Sequence, residues 1–358
     1  MSGIWGNKLK LSVFGESHGP AIGITIDGLP SGIELDFEKI NREMERRRPG
    51  KSELSTPRNE SDSLEILSGY FKDKTTGTPL TAIIRNSDTR SRDYSETRNK
   101  MRPGHADFTA NIKYLGYEDY RGGGHFSGRL TAPLVFAGAI AKQILENQGI
   151  LIGSHISSIG DIKDDCFNPV DIRRADLGVL RDKTFPVLNE EKGKLMKAEI
   201  LKAKADSDSI GGVIECCIIN MPPGIGSPFF NSIESTLSSL LFSIPAVKGV
   251  EFGSGFEISK MNGSHSNDEY YIDEDKQIKT YTNHNGGILG GISNGMPLIF
   301  RAAFKPTASI GKAQRSVDIE KKENIELEIK GRHDPCIVPR AFAVVEAVAA
   351  IGILDLML

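Results

Sequence analysis

Two stretches, Pro133–Asn147 and Arg340–Met357, carry Ala, Val, Ile and Leu on nearly every helical face. A helix at a protein surface keeps one polar face, so helices that are apolar all round need other layers on both sides. Short apolar runs that could form those layers are spread along the chain: Leu9–Phe14, Ala21–Asp27, Leu64–Phe71, Leu80–Arg85, Ile150–Ser158, Gly212–Asn220, Val250–Ile258 and Pro297–Phe304. Gly and Pro turns around them favour antiparallel hairpins. Three further helices are predicted over Phe37–Arg48, Glu190–Ala205 and Ile233–Phe242. The first has Asp36 as N-cap and places Phe37, Ile40 and Met44 at three- and four-residue spacing. No linker, low-complexity block or repeat divides the chain, so residues 1–358 are expected to form one domain with helices sandwiched between sheets. The polar segment Ser264–Lys279 reads as a surface excursion.

Several function classes are excluded early. No apolar run approaches the ~18 residues of a membrane span, and Met1–Phe14 lacks a secretory pattern, so no membrane partner and a cytoplasmic location are expected. Cys166, Cys216, Cys217 and Cys336 show no C-x-x-C spacing, and Cys216 and Cys217 read as strand fillers. A net charge of -3 and one Trp argue against a nucleic-acid partner, which would need a basic excess or a stacking platform. Basic residues nevertheless crowd two stretches: Arg42, Arg46, Arg47, Arg48, Lys51 and Arg58, then Arg85, Arg90, Arg92, Arg98, Lys100 and Arg102. Arg42 or Arg46 could pair with Glu43 or Glu45 along one helix. Pro49-Gly50 ends that helix beside its arginines, so at least one guanidinium can face a cleft, and such clusters suit a small polyanion.

The 38 glycines, about one residue in ten against the usual ~7%, gather at junctions that also hold His, Arg or Lys. These are Gly15-Glu16-Ser17-His18-Gly19, Arg102-Pro103-Gly104-His105-Ala106-Asp107, Arg121-Gly122-Gly123-Gly124-His125, Asn283-His284-Asn285-Gly286-Gly287, Lys305-Pro306-Thr307 and Gly331-Arg332-His333-Asp334-Pro335. A single loop histidine is more often a structural hydrogen-bonding group, but His18, His105, His125, His284 and His333 all sit in such junctions, where imidazole can move protons near neutral pH. His155 and His265 keep the structural reading. The chain has no phosphate-loop or dinucleotide fingerprint, and no H-E-x-x-H or other spacing that favours a metal. Ser17 imitates a nucleophile elbow, yet a strand rather than a helix is expected to follow at Ala21.

Taken in order, these segments resemble the chorismate synthase family over nearly the whole chain. The resemblance also rests on Asp27-Gly28-Leu29-Pro30, Arg46-Arg47-Arg48-Pro49-Gly50, Thr76-Gly77-Thr78-Pro79, Arg90-Ser91-Arg92-Asp93-Tyr94, Asp208-Ser209-Ile210-Gly211-Gly212 and Ala246-Val247-Lys248-Gly249-Val250-Glu251. It implies an α+β fold, a β-α-β sandwich with helices enclosed between antiparallel sheets, assembled as a homotetramer. It implies a lyase of the shikimate pathway that converts 5-enolpyruvylshikimate 3-phosphate to chorismate and phosphate, with reduced FMN as cofactor. The reducing electrons would come from NADPH at the same protein or from an external reductase.

Matched position by position, the resemblance implies that His18 donates a proton to the departing phosphate, His105 stabilises protonation of the reduced flavin, and Asp334 assists proton removal at flavin nitrogen 5. Arg47, Arg48, Arg129 and Arg332 would hold the substrate's anionic groups, with Arg332 also near the flavin. The FMN cradle would comprise His125, Phe126, Ser127, Pro245, Ala246, Gly290, Lys305, Pro306, Thr307, Ala308 and Ser309. Where the family pattern reads R-S-S-A-R-E-T, this chain reads His125-Phe126-Ser127-Gly128-Arg129-Leu130-Thr131, losing one arginine and one glutamate together. Glu53 stands where many members carry a basic residue. The competing expectations are a catalytically silent relative that binds flavin or a phosphorylated metabolite and, more weakly, an RNA-binding protein.

Overall fold

A computed structural model describes residues 3–50, 53–54, 62–86, 98–329 and 334–358. Lys51, Arg58, Arg90, Arg92, Arg332 and His333 lie outside the described residues. One five-stranded antiparallel sheet runs Ile4–Trp5, Lys10–Gly15, Ala21–Asp27, Leu80–Arg85, Leu64–Ser68 in spatial order, and a second runs Val247–Phe252, Leu298–Phe304, Gly212–Ile219, Leu151–Ile159, Ile162–Lys163.

The two all-round apolar helices extend over Thr131–Asn147 and Val338–Met357 and lie between these sheets. The first packs on strands Ala21–Asp27 and Leu80–Arg85, the second on Leu151–Ile159 and Gly212–Ile219, and they pack on each other. Their approach is close enough that a methyl on Gly138 would lie 2.3 Å from the Ala347 Cβ. Helices Phe37–Arg47 and Ile233–Ser243 fill the same layer. One apolar cluster runs from Leu9 and Ile22 through Phe136 and Phe300 to Phe342 and Leu354. Cys216 and Cys217 are fully buried in the strand Gly212–Ile219, as strand fillers should be.

The enclosed helices meet at two buried charges, Lys142 on the first and Glu346 on the second, while Asp355 near the end of the second accepts from the amides of Asn7, Lys8 and Leu9. The Lys142 Nζ is 2.9 Å from Glu43 Oε2 and 2.7 Å from Glu346 Oε2, while Arg46 reaches Glu346 at 2.6 and 2.9 Å and Glu43 at 2.7 Å. Two carboxylates and two cations thus neutralise one another between three helices. Burial opposes charge on Glu346, but Arg46 and Lys142 outweigh it and hold its pKa well below the ordinary carboxylate range. Arg46 therefore pairs with Glu43 on its own helix and also serves the core.

Most predicted elements appear within a residue or two, with informative exceptions. The strand predicted over Val250–Ile258 is Val247–Phe252, followed by a 3-10 turn at Gly255–Lys260. Its start is hidden by a bulge between Val247 and Gly249, and Gly253 at φ +55° ends it. Leu64–Phe71 divides into Leu64–Ser68 and Tyr70–Phe71 around Gly69, φ +78°. The helices Asp107–Lys113 and Arg174–Arg181 and the hairpin Gln314–Asp318/Glu323–Leu327 escape the sequence reading, being short. The polar excursion contains a small hairpin, Tyr270–Ile272 with Ile278–Thr280. No helix among the described residues is long and apolar enough to cross a membrane.

Candidate active site

A cavity of about 900 Å³ opens where the glycine-rich junctions meet the ends of the enclosed helices. His18, His105, His125 and Asp334 line it, together with Arg47, Arg102 and Arg129. Pro245, Ala246 and the run Lys305–Ser309 form another part of the wall. Phe126, Phe242, Ile244 and Val344 give it apolar surface.

His18 follows the strand Lys10–Gly15 in a tight turn, and a strand, Ala21–Asp27, follows it, so Ser17 does not sit on a strand-to-helix elbow. The imidazole is buried, with Nδ1 3.1 Å from Ser17 Oγ. Gly122, at φ +65°, passes so near that a Cβ there would stand 2.4 Å from His18 Cε1, which gives the glycine triplet a steric purpose. His125 Nδ1 lies 2.9 Å from the Gly15 carbonyl, so that nitrogen donates and carries the ring proton. Phe126 is partly exposed at the rim, 6.1 Å from Tyr114 between ring centroids.

Arg47 and Arg129 converge on one buried carboxylate, Asp62. Arg47 Nη1 is 2.7 Å from Asp62 Oδ2, Arg129 Nη1 donates to Asp62 Oδ1, and Arg129 Nε bonds Asn86 Oδ1 at 3.2 Å. Burial lowers the Arg47 pKa and Asp62 opposes it, with Arg340 and Arg129 adding repulsion; the net value is about 10, so Arg47 stays cationic at neutral pH. Lys305 leaves the strand Leu298–Phe304, and its Nζ donates to the Gly104 carbonyl, tying this wall to the His105 loop. Asp334 accepts from Arg340 Nη2. Nearby Cys336 is pushed up to about 12 by burial and stays a thiol.

Other predicted residues lie elsewhere. Arg48 is outside the cavity lining and pairs with Glu45 at 2.8 Å, and Glu53 is exposed, its carbonyl accepting from Lys204 Nζ at 2.6 Å. Gly290 is exposed in the turn between Ile288–Leu289 and Ile292–Ser293, away from the cavity. His284 bonds Ser254 Oγ at 3.1 Å, also away from it, and Leu130 is in the core. Sequence reasoning missed Lys113, Tyr114, Lys248 and Arg340 as lining residues, since each is an ordinary helix or strand residue until the chain folds. His155 is buried between Asp164 and Glu215 at 3.0 and 2.9 Å, the structural part expected of it.

The comparisons agree with this geometry. The sequence profile described as chorismate synthase matches residues 9–358. The chain belongs to the chorismate synthase family. A chorismate synthase of Korarchaeum cryptofilum is 47% identical over 352 residues, covering 98% of this chain and 96% of that one. One from Thermococcus kodakarensis is 46% identical over 354 residues, covering 99% and 97%. A crystal structure titled as chorismate synthase aligns at a TM-score of 0.76 with 31% identity, covering 99% of this chain and 92% of the other. The α+β class is thereby shared with the family, and the chain is an enzyme of the lyase class.

Proposed function

We propose that the chain eliminates phosphate from 5-enolpyruvylshikimate 3-phosphate in a 1,4-anti sense, giving chorismate, with reduced FMN as its cofactor. The observation that carries this reading is the gathering of His18, His105 and Asp334 with Arg47, Arg129 and Lys305 around one cavity. The substrate's two carboxylates and phosphate call for several fixed cations. The cavity volume, about 900 Å³, falls near the upper end of ordinary ligand sites, ~300–1,000 Å³, and suits two ligands side by side.

The residues also suit a flavin phosphate and ring. Thr307 Oγ1 is buried with no hydrogen-bond partner among the described residues, in a wall that also offers Lys305 and the backbone of Pro306–Ser309. Phe126, Phe242 and Ile244 supply apolar contact. When bound, reduced FMN supplies electron density to the substrate as phosphate leaves. The protein's own part is then to fix anions through Arg47 and Arg129, hold a donor proton on His18, orient His105, accept a proton at the Asp334 carboxylate and exclude water. Arg48 and Arg332 belong to the anion set by position in the family pattern. One domain over 1–358 is supported by the large apolar cluster that joins both sheets, and a homotetramer by the exposure of Phe229 and Phe230, 84% and 93%; a cytoplasmic location is part of the same proposal.

The test is anaerobic. Purified protein is mixed with chemically reduced FMN and 5-enolpyruvylshikimate 3-phosphate, and chorismate and phosphate are followed against an oxidised-FMN control. Turnover only with reduced flavin is the expected result. Tight binding of both ligands without product would sink the reading and favour a silent relative.

A further inference from the structure

Behind His105, on the side away from the main cavity, lies a carboxylate that the chemistry described so far does not use. Asp107 opens the helix Asp107–Lys113, two residues after His105, and its side chain turns back on the loop. Its Oδ1 is 2.6 Å from His105 Nδ1 and 2.7 Å from Arg102 Nη2. Its Oδ2 accepts from Arg102 Nε at 2.7 Å and from the Arg102 amide at 3.1 Å. Arg102 in turn donates from Nη2 to the Gly122 carbonyl at 2.7 Å, the same glycine that abuts His18.

These contacts decide which nitrogen of His105 carries hydrogen. Nδ1 has two polar neighbours, Asp107 Oδ1 at 2.6 Å and Arg102 Nη2 at 3.2 Å. Both hydrogens of Nη2 are already engaged by Asp107 Oδ1 and the Gly122 carbonyl, so none remains for Nδ1. A carboxylate oxygen 2.6 Å from a bare ring nitrogen would set two lone pairs against each other inside contact distance. A proton therefore sits on Nδ1, and Nε2 becomes the ring atom that gains or loses a proton. Although burial raises the Asp107 pKa, hydrogen bonds from Arg102 and His105 more than offset this and keep it well below the ordinary carboxylate range. Asp107 thus remains an acceptor at every pH at which the enzyme would work.

We propose that Asp107 is a positioning residue that fixes His105 as the Nδ1–H tautomer and, through Arg102, ties its orientation to the glycine turn beside His18. The proposal rests on the assignment of His105 to the reaction made above. It does not touch substrate: Asp107 lines a separate cavity of about 30 Å³ behind the imidazole, whereas His105 borders both spaces.

The test has two arms. In the first, the wild-type protein with ring-15N-labelled histidine is studied by solid-state 15N NMR at alkaline pH, the signal being assigned by its loss in His105→Asn. A pyrrole-type Nδ1 and a pyridine-type Nε2 are expected. The reverse pattern overturns the proposal, and this arm needs neither turnover nor a folded Asp107 variant. The second is a double-mutant cycle of Asp107→Asn and His105→Ala. Asp107→Asn should lower kcat about 10- to 100-fold with KM changed less than threefold. In the His105→Ala background it should cause no further loss. Equal losses in both backgrounds would make Asp107 merely structural and overturn the proposal. Absence of turnover in the wild type would refute the functional reading instead, and leave the tautomer to be decided by the first arm.

Discussion

Replacing Gly122 by alanine tests the link between glycine content and catalysis more directly than removing a catalytic group. The added methyl would lie 2.4 Å from His18 Cε1, 2.5 Å from its Nδ1 and 3.0 Å from Ser17 Oγ. Ordinary contact begins at 3.4 Å, so the imidazole must retreat by about 1 Å, a displacement that commonly costs ~100-fold in rate. The backbone at φ +65° adds about 1 kcal/mol for a residue with a Cβ, a loss of only a degree or two in Tm for a chain of this size. Gly122→Ala should therefore fold and melt nearly as the wild type does, bind substrate with KM changed only a few-fold, and lose about two orders of magnitude in kcat. The assay is anaerobic turnover with reduced FMN, paired with a thermal melt. Gly178→Ala is the control, since its Cβ meets nothing within 4 Å in the helix Arg174–Arg181, and it should gain up to about 1 kcal/mol. A folded Gly122→Ala with kcat within threefold of wild type would refute the reasoning that this turn exists to seat His18.

Lys142→Met leaves Glu43 and Glu346 sharing Arg46 in a buried space, with Arg181 Nε 3.7 Å from Glu43 as the other cation, and should cost about 3–5 kcal/mol in denaturant unfolding; a loss below about 1 kcal/mol would mean that Arg181, water or rearrangement replaces the ammonium. Burial tends to lower the His155 pKa, but hydrogen bonds to Asp164 and Glu215 outweigh it and the folded value is raised, with Arg301 and Glu251 completing the polar surroundings. Its stabilisation is then fully present below the ordinary value of ~6.5 and lost as pH rises through the folded value, so His155→Asn should flatten that alkaline decline in a pH series of melts. The partners Asp164 and Glu215 are shifted downward, burial being outweighed by His155, and their contribution fades on the acid side as pH falls below the ordinary carboxylate range. Thr307→Val removes a buried hydroxyl that has no partner among the described residues and should leave Tm within a degree while weakening FMN about 2- to 10-fold in a fluorescence titration; unchanged affinity would remove Thr307 from the cradle.

Much of this molecule is determined by its sequence alone, where the physics is local. The apolar periodicity of Thr131–Asn147 and Val338–Met357 requires enclosure whatever the rest of the chain does, and alternating apolar runs bounded by turns make the two sheets. The Asp36 cap, which accepts from the Lys39 amide, starts its helix from a side chain three residues away. Junctions rich in glycine and histidine mark candidate positions, because imidazole can move protons near neutral pH.

What only the tertiary structure decided are the pairings between distant residues. Arg46, Arg47 and Arg48 are consecutive and indistinguishable as letters, yet the helix turns one to Glu346 in the core, one to Asp62 at the cavity and one to Glu45 near the surface. His125 reaches the cavity and His284 does not, though both stand beside glycines. Arg340 becomes a lining residue because its helix is buried with its first turn facing Asp334. Local pattern fixes where a side chain sits on its own element; which charge it meets across 60 or 300 residues depends on how the sheets close over the helices, because electrostatic and packing energies are functions of distance in space rather than along the chain.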